Sequence, residues 1–226
     1  MEKLIILDLK FKFGEIEDVI HPVVVKGDDS MILIDCGYTG FLEKLEAEMN
    51  LKGLKCDDLT HVLITHQDHD HMGALAELKA KYPHILVVAS EKEAPYISGE
   101  LKSLRLTQAE EMQAYLPEEQ KAFGEAFCDI LRAVKPVAVD HKVKEGDHVA
   151  GCTIIETSGH TPGHISVYVQ NLKTIITGDA IALENGKPVI ANPQFTLDLK
   201  EAEASLNKIL AREADQVICY HGGIIA

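Results

Sequence analysis

From position 65 to 73 the chain reads Thr-His-Gln-Asp-His-Asp-His-Met-Gly, so that residues 66–71 hold three histidines and two aspartates. The apolar run Val62-Leu63-Ile64 stands just before this cluster, and Ala74–Leu78 after it reads as a helix. A strand that delivers imidazoles and carboxylates into a turn lets several ligands converge on one divalent ion. The plain alternative is a solvated polar loop with chance histidines, since dense motifs also carry false positives.

The 226 residues allow one large domain or two small ones, and the reading adopted is a single domain over 1–226. Apolar residues make up 46%, enough for a sizeable core. Net charge is −14 with no Lys/Arg-rich block, which argues against a nucleic-acid partner and for a small-molecule substrate. The five cysteines are widely spaced and form no Cys-x-x-Cys pair, as expected of reduced thiols in a cytoplasmic protein. The opening Met1-Glu2-Lys3-Leu4 does not resemble a signal peptide, and no apolar run approaches ~18 residues, so no membrane span is expected. A homodimer is allowed.

Strand-like runs cover Leu4–Leu9, Val19–Lys26, Met31–Ile34, Thr60–Thr65 and Leu86–Val88, with a turn at Gly27-Asp28-Asp29-Ser30. Helices are expected at Phe41–Met49 and Gly73–Tyr82, the second stopped by Pro83. Residues 91–135 are rich in helix formers, with Pro117 opening a helix. They read either as a helical insertion over the site or as a plain surface excursion. Strand patterns resume at Val137–Val139, His148-Val149, Thr153–Glu156, Ile165–Val169 and Thr174–Thr177, with a turn at Asn171–Lys173. Asp198 to Glu201 has capping-box spacing and opens a helix to Arg212, and Val217–Cys219 is a final strand. The alternation suggests an α/β chain with two sheets face to face and helices outside.

Further ligand-type residues stand at strand ends, in Gly159-His160-Thr161-Pro162-Gly163-His164, Thr177-Gly178-Asp179, Tyr220-His221-Gly222-Gly223 and Leu33-Ile34-Asp35-Cys36-Gly37. Each alone reads as a turn or a strand end. In this order, and with the 66–71 cluster, they resemble the metallo-β-lactamase superfamily over nearly the whole chain. The resemblance implies an αβ/βα four-layer sandwich of two mixed sheets, with two divalent ions at one edge. It implies zinc first, with manganese or iron(II) as alternatives. Carried over by position, His66, Asp68 and His160 hold one ion, Asp70, His71 and His221 hold the other, and Asp179 bridges them.

The usual motif is His-x-His-x-Asp-His, and here Asp68 stands where the second histidine belongs. Either the first position is damaged or Asp68 coordinates in its place. Coordination is favoured, because an Asp Oδ lies as many bonds from Cα as the imidazole Nδ1 it replaces. His69 points to the other side of an extended strand end. Three carboxylates against two divalent ions leave a formal charge one lower than the usual motif, so a less acidified water and greater tolerance of manganese or iron(II) are expected. Asp35 and His164 are read as supports that hydrogen-bond the ligands. His61, His84, His141 and His148 have no ligand-like context, and Cys36 and Cys219 read as buried strand thiols. Tyr96, Tyr115 and Tyr220 are each candidates to reach a substrate oxygen.

The implied reaction is hydrolysis of an ester-like bond by a bridging hydroxide, with Asp70 also orienting the nucleophile or relaying a proton. Lactones and thioesters are the expected substrates, as in the acyl-homoserine lactonases and glyoxalase II enzymes that the chain resembles. Alternatives are an iron-dependent redox protein of the flavodiiron type, a phosphodiesterase or nuclease, and a non-catalytic relic broken at position 68.

Overall fold

Val23–Val25, Met31–Ile34 and Val62–Ile64 are buried at every position, which only a sheet covered on both faces allows. The computed structural model describes residues 2–225. Its first part runs β1 (Lys3–Ile6), β2 (Leu9–Phe13), β3 (Ile16–Ile20), β4 (Val23–Lys26), β5 (Met31–Ile34), α1 (Leu42–Leu51), β6 (His61–Ile64), α2 (His69–Met72), α3 (Leu75–Lys81) and β7 (Leu86–Ser90). Three helices follow, α4 (Ala94–Ile97), α5 (Leu104–Gln113) and α6 (Glu118–Arg132). The rest comprises β8 (His141–Val143), β9 (His148–Val149), β10 (Cys152–Glu156), β11 (Ile165–Val169), β12 (Thr174–Ile176), β13 (Ala182–Glu184), β14 (Lys187–Val189), α7 (Leu199–Leu210), β15 (Gln216–Cys219) and β16 (Gly223–Ile225).

One sheet has the order β1-β4-β5-β6-β7-β8, antiparallel up to β5 and parallel beyond it. The other has the order β16-β15-β12-β11-β10-β9, antiparallel except between β12 and β15. Alternate residues of each strand enter different cores, as the two-residue side-chain period requires. Val24, Leu33, Val62, Ile64 and Val87 pack with Leu45 and Met49 of α1 and Leu75 and Leu78 of α3. Val25, Ile32, Ile34, Leu63 and Val88 face Ile154, Val167, Ile176 and Ile218 of the second sheet. Ile155, Ile175 and Val217 pack on Ile209 of α7. The result is the four-layer αβ/βα sandwich.

Local chemistry accounts for the helix starts. Asp198 caps α7 by accepting from the Glu201 N–H at 3.0 Å, and Glu118 and Glu119 occupy the first turn of α6 behind Pro117. Four strand readings need correction. Val217–Cys219 is not the final strand, since β16 follows β15 and pairs with it. Leu4–Leu9 is divided between β1 and β2. Val19–Lys26 is broken at His21-Pro22, because proline has no N–H for a ladder, and Val19-Ile20 pair instead with β2 in a hairpin. Val137–Val139 is not a strand. That segment binds Ile97 O through the Val137 N–H and packs its valines on the first core, and pairing begins only at His141. No helix among the described residues is long and apolar enough to cross a membrane.

Candidate metal centre

The chain leaves β5, β6, β12 and β15 at one common edge, and the polar residues that follow those strands meet there. His66 comes two residues after β6 ends, and Asp68 is the residue before α2, accepting the His71 and Met72 N–H groups at its carbonyl. Asp70 and His71 are carried by α2, Asp179 follows β12 and His221 follows β15. His160 lies in the loop from β10 to β11, and the Ile165 N–H donates to Thr65 O, tying that loop to the end of β6.

These side chains form two groups. In the first, Asp68 Oδ2 is 3.1 Å from His160 Nε2 and 3.6 Å from His66 Nε2. In the second, Asp70 Oδ2 is 3.1 Å from His221 Nε2 and 3.6 Å from His71 Nε2. Asp179 touches both. Its Oδ2 is 3.5 Å from His160 Nε2, and its Oδ1 is 3.2 Å from His71 Nε2 and 3.6 Å from His221 Nε2. Four ligands held at about 2.1 Å around one ion stand about 3.4 Å from one another, so both groups have the spacing of a coordination sphere.

Four atoms here, His66 Nε2, Asp68 Oδ1, His71 Nε2 and Asp179 Oδ1, are buried without a hydrogen-bond partner. Buried polar atoms are otherwise nearly always satisfied, so this concentration fits a site built for cations. His66, Asp68 and His160 could hold one metal ion, Asp70, His71 and His221 another, and His66, His71 and Asp179 also lie within reach of a single ion.

Burial disfavours charge on Asp68, Asp179 and His71, and the neighbours override it. Around Asp68, Arg105, His160 and His66 outweigh burial and hold the carboxyl well below the usual range. Asp179 is also held well below it, by His71 and His221 against the penalty of burial. Burial would lower His71, but Asp179, Asp70 and Asp35 raise it well above an ordinary histidine. At His164 burial, with the nearby His66 and His160, outweighs Asp179 and pushes the ring well down.

Supporting residues fix the ligands' orientation. Asp35 accepts from the Thr65 N–H at 2.9 Å and from the Thr65 hydroxyl at 2.8 Å, and its Oδ2 lies 2.8 Å from His71 Nδ1. His164 Nε2 accepts from the Asp179 N–H at 3.0 Å, which leaves Nδ1–H to donate to Thr157 Oγ1 at 2.9 Å. His164 therefore braces Asp179 rather than joining the ligand groups. His69 stands apart as well, with its ring between Tyr38 and Phe127 at 5.3 and 5.7 Å.

Several neighbours carry no motif. Glu93 is fully buried and accepts from the Gln67 N–H, the Thr161 hydroxyl and the Gly163 N–H, joining the loop of His66 to the loop of His160. Arg105 of α5 is 3% exposed and donates to Asp68 Oδ2 from Nη2 at 2.6 Å and from Nε at 3.1 Å. This cation corrects the charge count drawn from the sequence, because it offsets the carboxylate added at position 68. Glu93 and Arg105 lie in a stretch whose charges look like an ordinary solvated helical surface.

A cleft of about 540 Å³ opens over the two groups, with Tyr38, Phe127, Leu183 and Phe195 among its walls. The three tyrosines suggested by sequence do not line it. Tyr220 is buried and donates to Asp70 O at 2.6 Å, Tyr115 is 89% exposed, and Tyr96 lines a separate cavity. Cys36 and Cys219 are buried thiols, and burial raises both.

Residues 17–221 match the family model of the metallo-beta-lactamase superfamily. An uncharacterized Bacillus subtilis protein, YobT, is 27% identical over 90% of this chain and 83% of its own length. The probable metallo-hydrolase YflN of the same organism is 26% identical over 85% of this chain and 75% of its own. A hydroxyacylglutathione hydrolase of Rhodospirillum rubrum is 25% identical over 72% of this chain, which spans about half of that relative, 51%. Among solved structures, the metallo-beta-lactamase family protein TTHA1429 from Thermus thermophilus superposes with a TM-score of 0.74 at 22% identity, covering 99% of this chain and 74% of that one. AidC, a dizinc quorum-quenching lactonase in complex with a product, gives a TM-score of 0.62 at 21% identity over 92% of this chain and 75% of its own.

Proposed function

The chain belongs to the metallo-β-lactamase superfamily, and on that premise we propose that it is a dinuclear-metal hydrolase of an ester-like bond, a lactone or a thioester. The observation that carries this reading is Asp179, whose two carboxylate oxygens face two separate ligand groups. Two divalent ions, zinc first and manganese or iron(II) next, would supply Lewis acidity and an activated water. His66, Asp68 and His160 would hold one ion, and Asp70, His71 and His221 the other, with Asp179 shared.

The chain's own residues supply the rest. Asp70 Oδ2 faces His221, while its Oδ1 lies 3.6 Å from His69 Nδ1 and can take a proton on the cleft side. Burial, with Asp70 and Asp18 nearby, keeps the Tyr38 phenol protonated, so it is a donor available to a substrate oxygen. Tyr38, Phe127, Leu183 and Phe195 offer an apolar wall for an acyl chain and keep bulk water from the bond being cut. Among the described lysines and arginines, only Arg105 lines the cleft, and Asp68 already occupies it, which favours a small molecule over a nucleic-acid backbone. A hydroxyacylglutathione hydrolase among the relatives and a lactonase among the structural neighbours support the ester-like class.

The test is turnover of a panel of lactones, thioesters and bis(p-nitrophenyl) phosphate by metal-reconstituted protein. Hydrolysis of a lactone or thioester, abolished by chelation and by Asp179→Asn, is expected. Turnover of the phosphodiester alone would reverse the reading, as would bound iron with a redox-active absorption spectrum and no esterase activity.

A further inference from the structure

Arg105 and Asp68 are both almost wholly buried, and they meet in an unusual way. Arginine–carboxylate pairs frequently close fork to fork, two nitrogens on two oxygens. Here Nε and Nη2 both converge on Asp68 Oδ2, and Oδ1 is left buried without a partner. The guanidinium is itself clamped. Its Nη1 donates to Gln108 at 2.5 Å, its face lies 4.9 Å from the centre of the Phe195 ring, and Nη2 is 3.4 Å from His160 Nε2. Gln108 in turn donates to Gln194 O at 3.3 Å, and the Gln67 side chain accepts the Leu104 N–H at 2.8 Å. α5 is thus pinned to the loop of His66 and Asp68 and to the segment between β14 and α7, whose Leu197 N–H donates to His160 O.

From this geometry we infer that Arg105 is a positioning residue for the first metal position. It sets the Asp68 carboxylate toward His66 and His160 and offsets its charge, so that this group binds an ion only while α5 is docked. The inference rests on the metal-holding reading of the site. An uncompensated third carboxylate would also stand in a pocket that already holds Asp70 and Asp179, and mutual repulsion would splay it away. A lysine could supply the charge but not the two-pronged grip on one oxygen. The second group, Asp70, His71 and His221, has no contact with Arg105 among the described hydrogen bonds and ion pairs, so its ion should be retained when Arg105 is replaced.

The experiment is metal stoichiometry and affinity by chelator competition, with cobalt(II) absorption as a second readout, on the full chain. Wild type is expected to bind two ions. Arg105→Gln should keep the second ion and lose the first, with an affinity drop of about 10–100-fold, the size seen when a ligand's hydrogen-bond partner is removed. Arg105→Lys should fall between the two. The double variant Asp68→His/Arg105→Gln removes both charges and restores a neutral ligand, so it should recover two ions, which a merely structural role for Arg105 does not predict. Retention of the second ion shows that a variant is folded. If Arg105→Gln holds both ions at unchanged affinity, the inference is wrong. If wild type holds one ion and Arg105→Gln holds two, the guanidinium occupies the first position and the inference is equally wrong. Wild type that binds no ion overturns the metal reading itself, and the inference with it.

Discussion

Asp35 Oδ2 lies 2.8 Å from His71 Nδ1, and Asp35 holds that place with a positive φ of 59°, a backbone conformation rare outside glycine. The strained turn lets one buried carboxylate reach both the His71 ring and the end of β6. With Nδ1–H donated to Asp35, the neutral His71 ring has its lone pair on Nε2, the atom that faces Asp70 and Asp179. Asp35→Asn keeps the shape and changes the chemistry. An amide nitrogen in the Oδ2 position would face Nδ1–H and drive the proton to Nε2, taking away the ligand. The expected outcome is a loss in metal affinity of about 10–100-fold with the fold retained, read by chelator competition and circular dichroism.

Glu93 has three acceptor contacts and no ion pair among the described residues. The Gln67 N–H reaches Oε2 at 3.0 Å, while the Thr161 hydroxyl and the Gly163 N–H reach Oε1 at 2.8 and 2.9 Å. An amide keeps only one acceptor oxygen, and either orientation sets its NH2 against a backbone N–H, that of Gln67 or that of Gly163. Glu93→Gln should therefore cost about 1–3 kcal/mol in denaturant unfolding, the range for a buried donor left unsatisfied. It should also weaken metal binding at the first group, because Glu93 spaces the His66 and His160 loops. Unchanged stability would mean that the loops hold their spacing without it.

The 66–71 cluster was legible because five ligand-type side chains fall in six positions at the end of an apolar run, and few structures other than a metal turn accommodate that. Asp179 and His221 were legible only as parts of a family pattern, since each alone is an ordinary strand end. The two sheets were legible from continuous apolar runs, but Val137–Val139 has the same composition and packs as coil, because apolar residues report burial and not ladder pairing. Arg105 was hidden for a different reason. Its partner Asp68 is 37 residues away, and nothing local distinguishes a buried arginine from its solvated neighbours on an amphipathic helix.

Gly73 closes the motif because nothing larger fits. A Cβ there would sit 2.3 Å from His69 O and 2.3 Å from Thr39 N, both backbone atoms that cannot swing aside. The same contact presses α2 against the turn after β5, where the Cys36 N–H donates to His71 O and the Ala74 N–H to Gly37 O. Gly73→Ala should force those segments apart and cost about 3 kcal/mol, the upper end for overpacking. It should also displace Asp70 and His71 together. The check is an unfolding midpoint alongside metal stoichiometry, and a midpoint equal to wild type would contradict the packing argument.

Metal uptake should release protons at neutral pH. In metal-free protein Asp179, Asp70 and Asp35 outweigh burial to raise His71 well above its ordinary value of 6.5, and Asp179 and Asp70 likewise raise His221. Both are therefore protonated in the folded state at pH values where the unfolded chain has begun to lose those protons. The stability they contribute is complete below about pH 6.5 and is lost as pH rises through their folded values. Asp68 and Asp179 act in the opposite sense, contributing above about pH 4 and losing that contribution as acid titrates them. An ion at Nε2 requires the neutral imidazole, so binding expels the proton and affinity rises with pH. Calorimetric zinc titration in two buffers of different ionisation heat should give apparent enthalpies that differ by the released protons, and the chelated protein should lose thermal stability toward alkaline pH. Identical enthalpies in the two buffers would show that His71 and His221 are already neutral before the metal arrives.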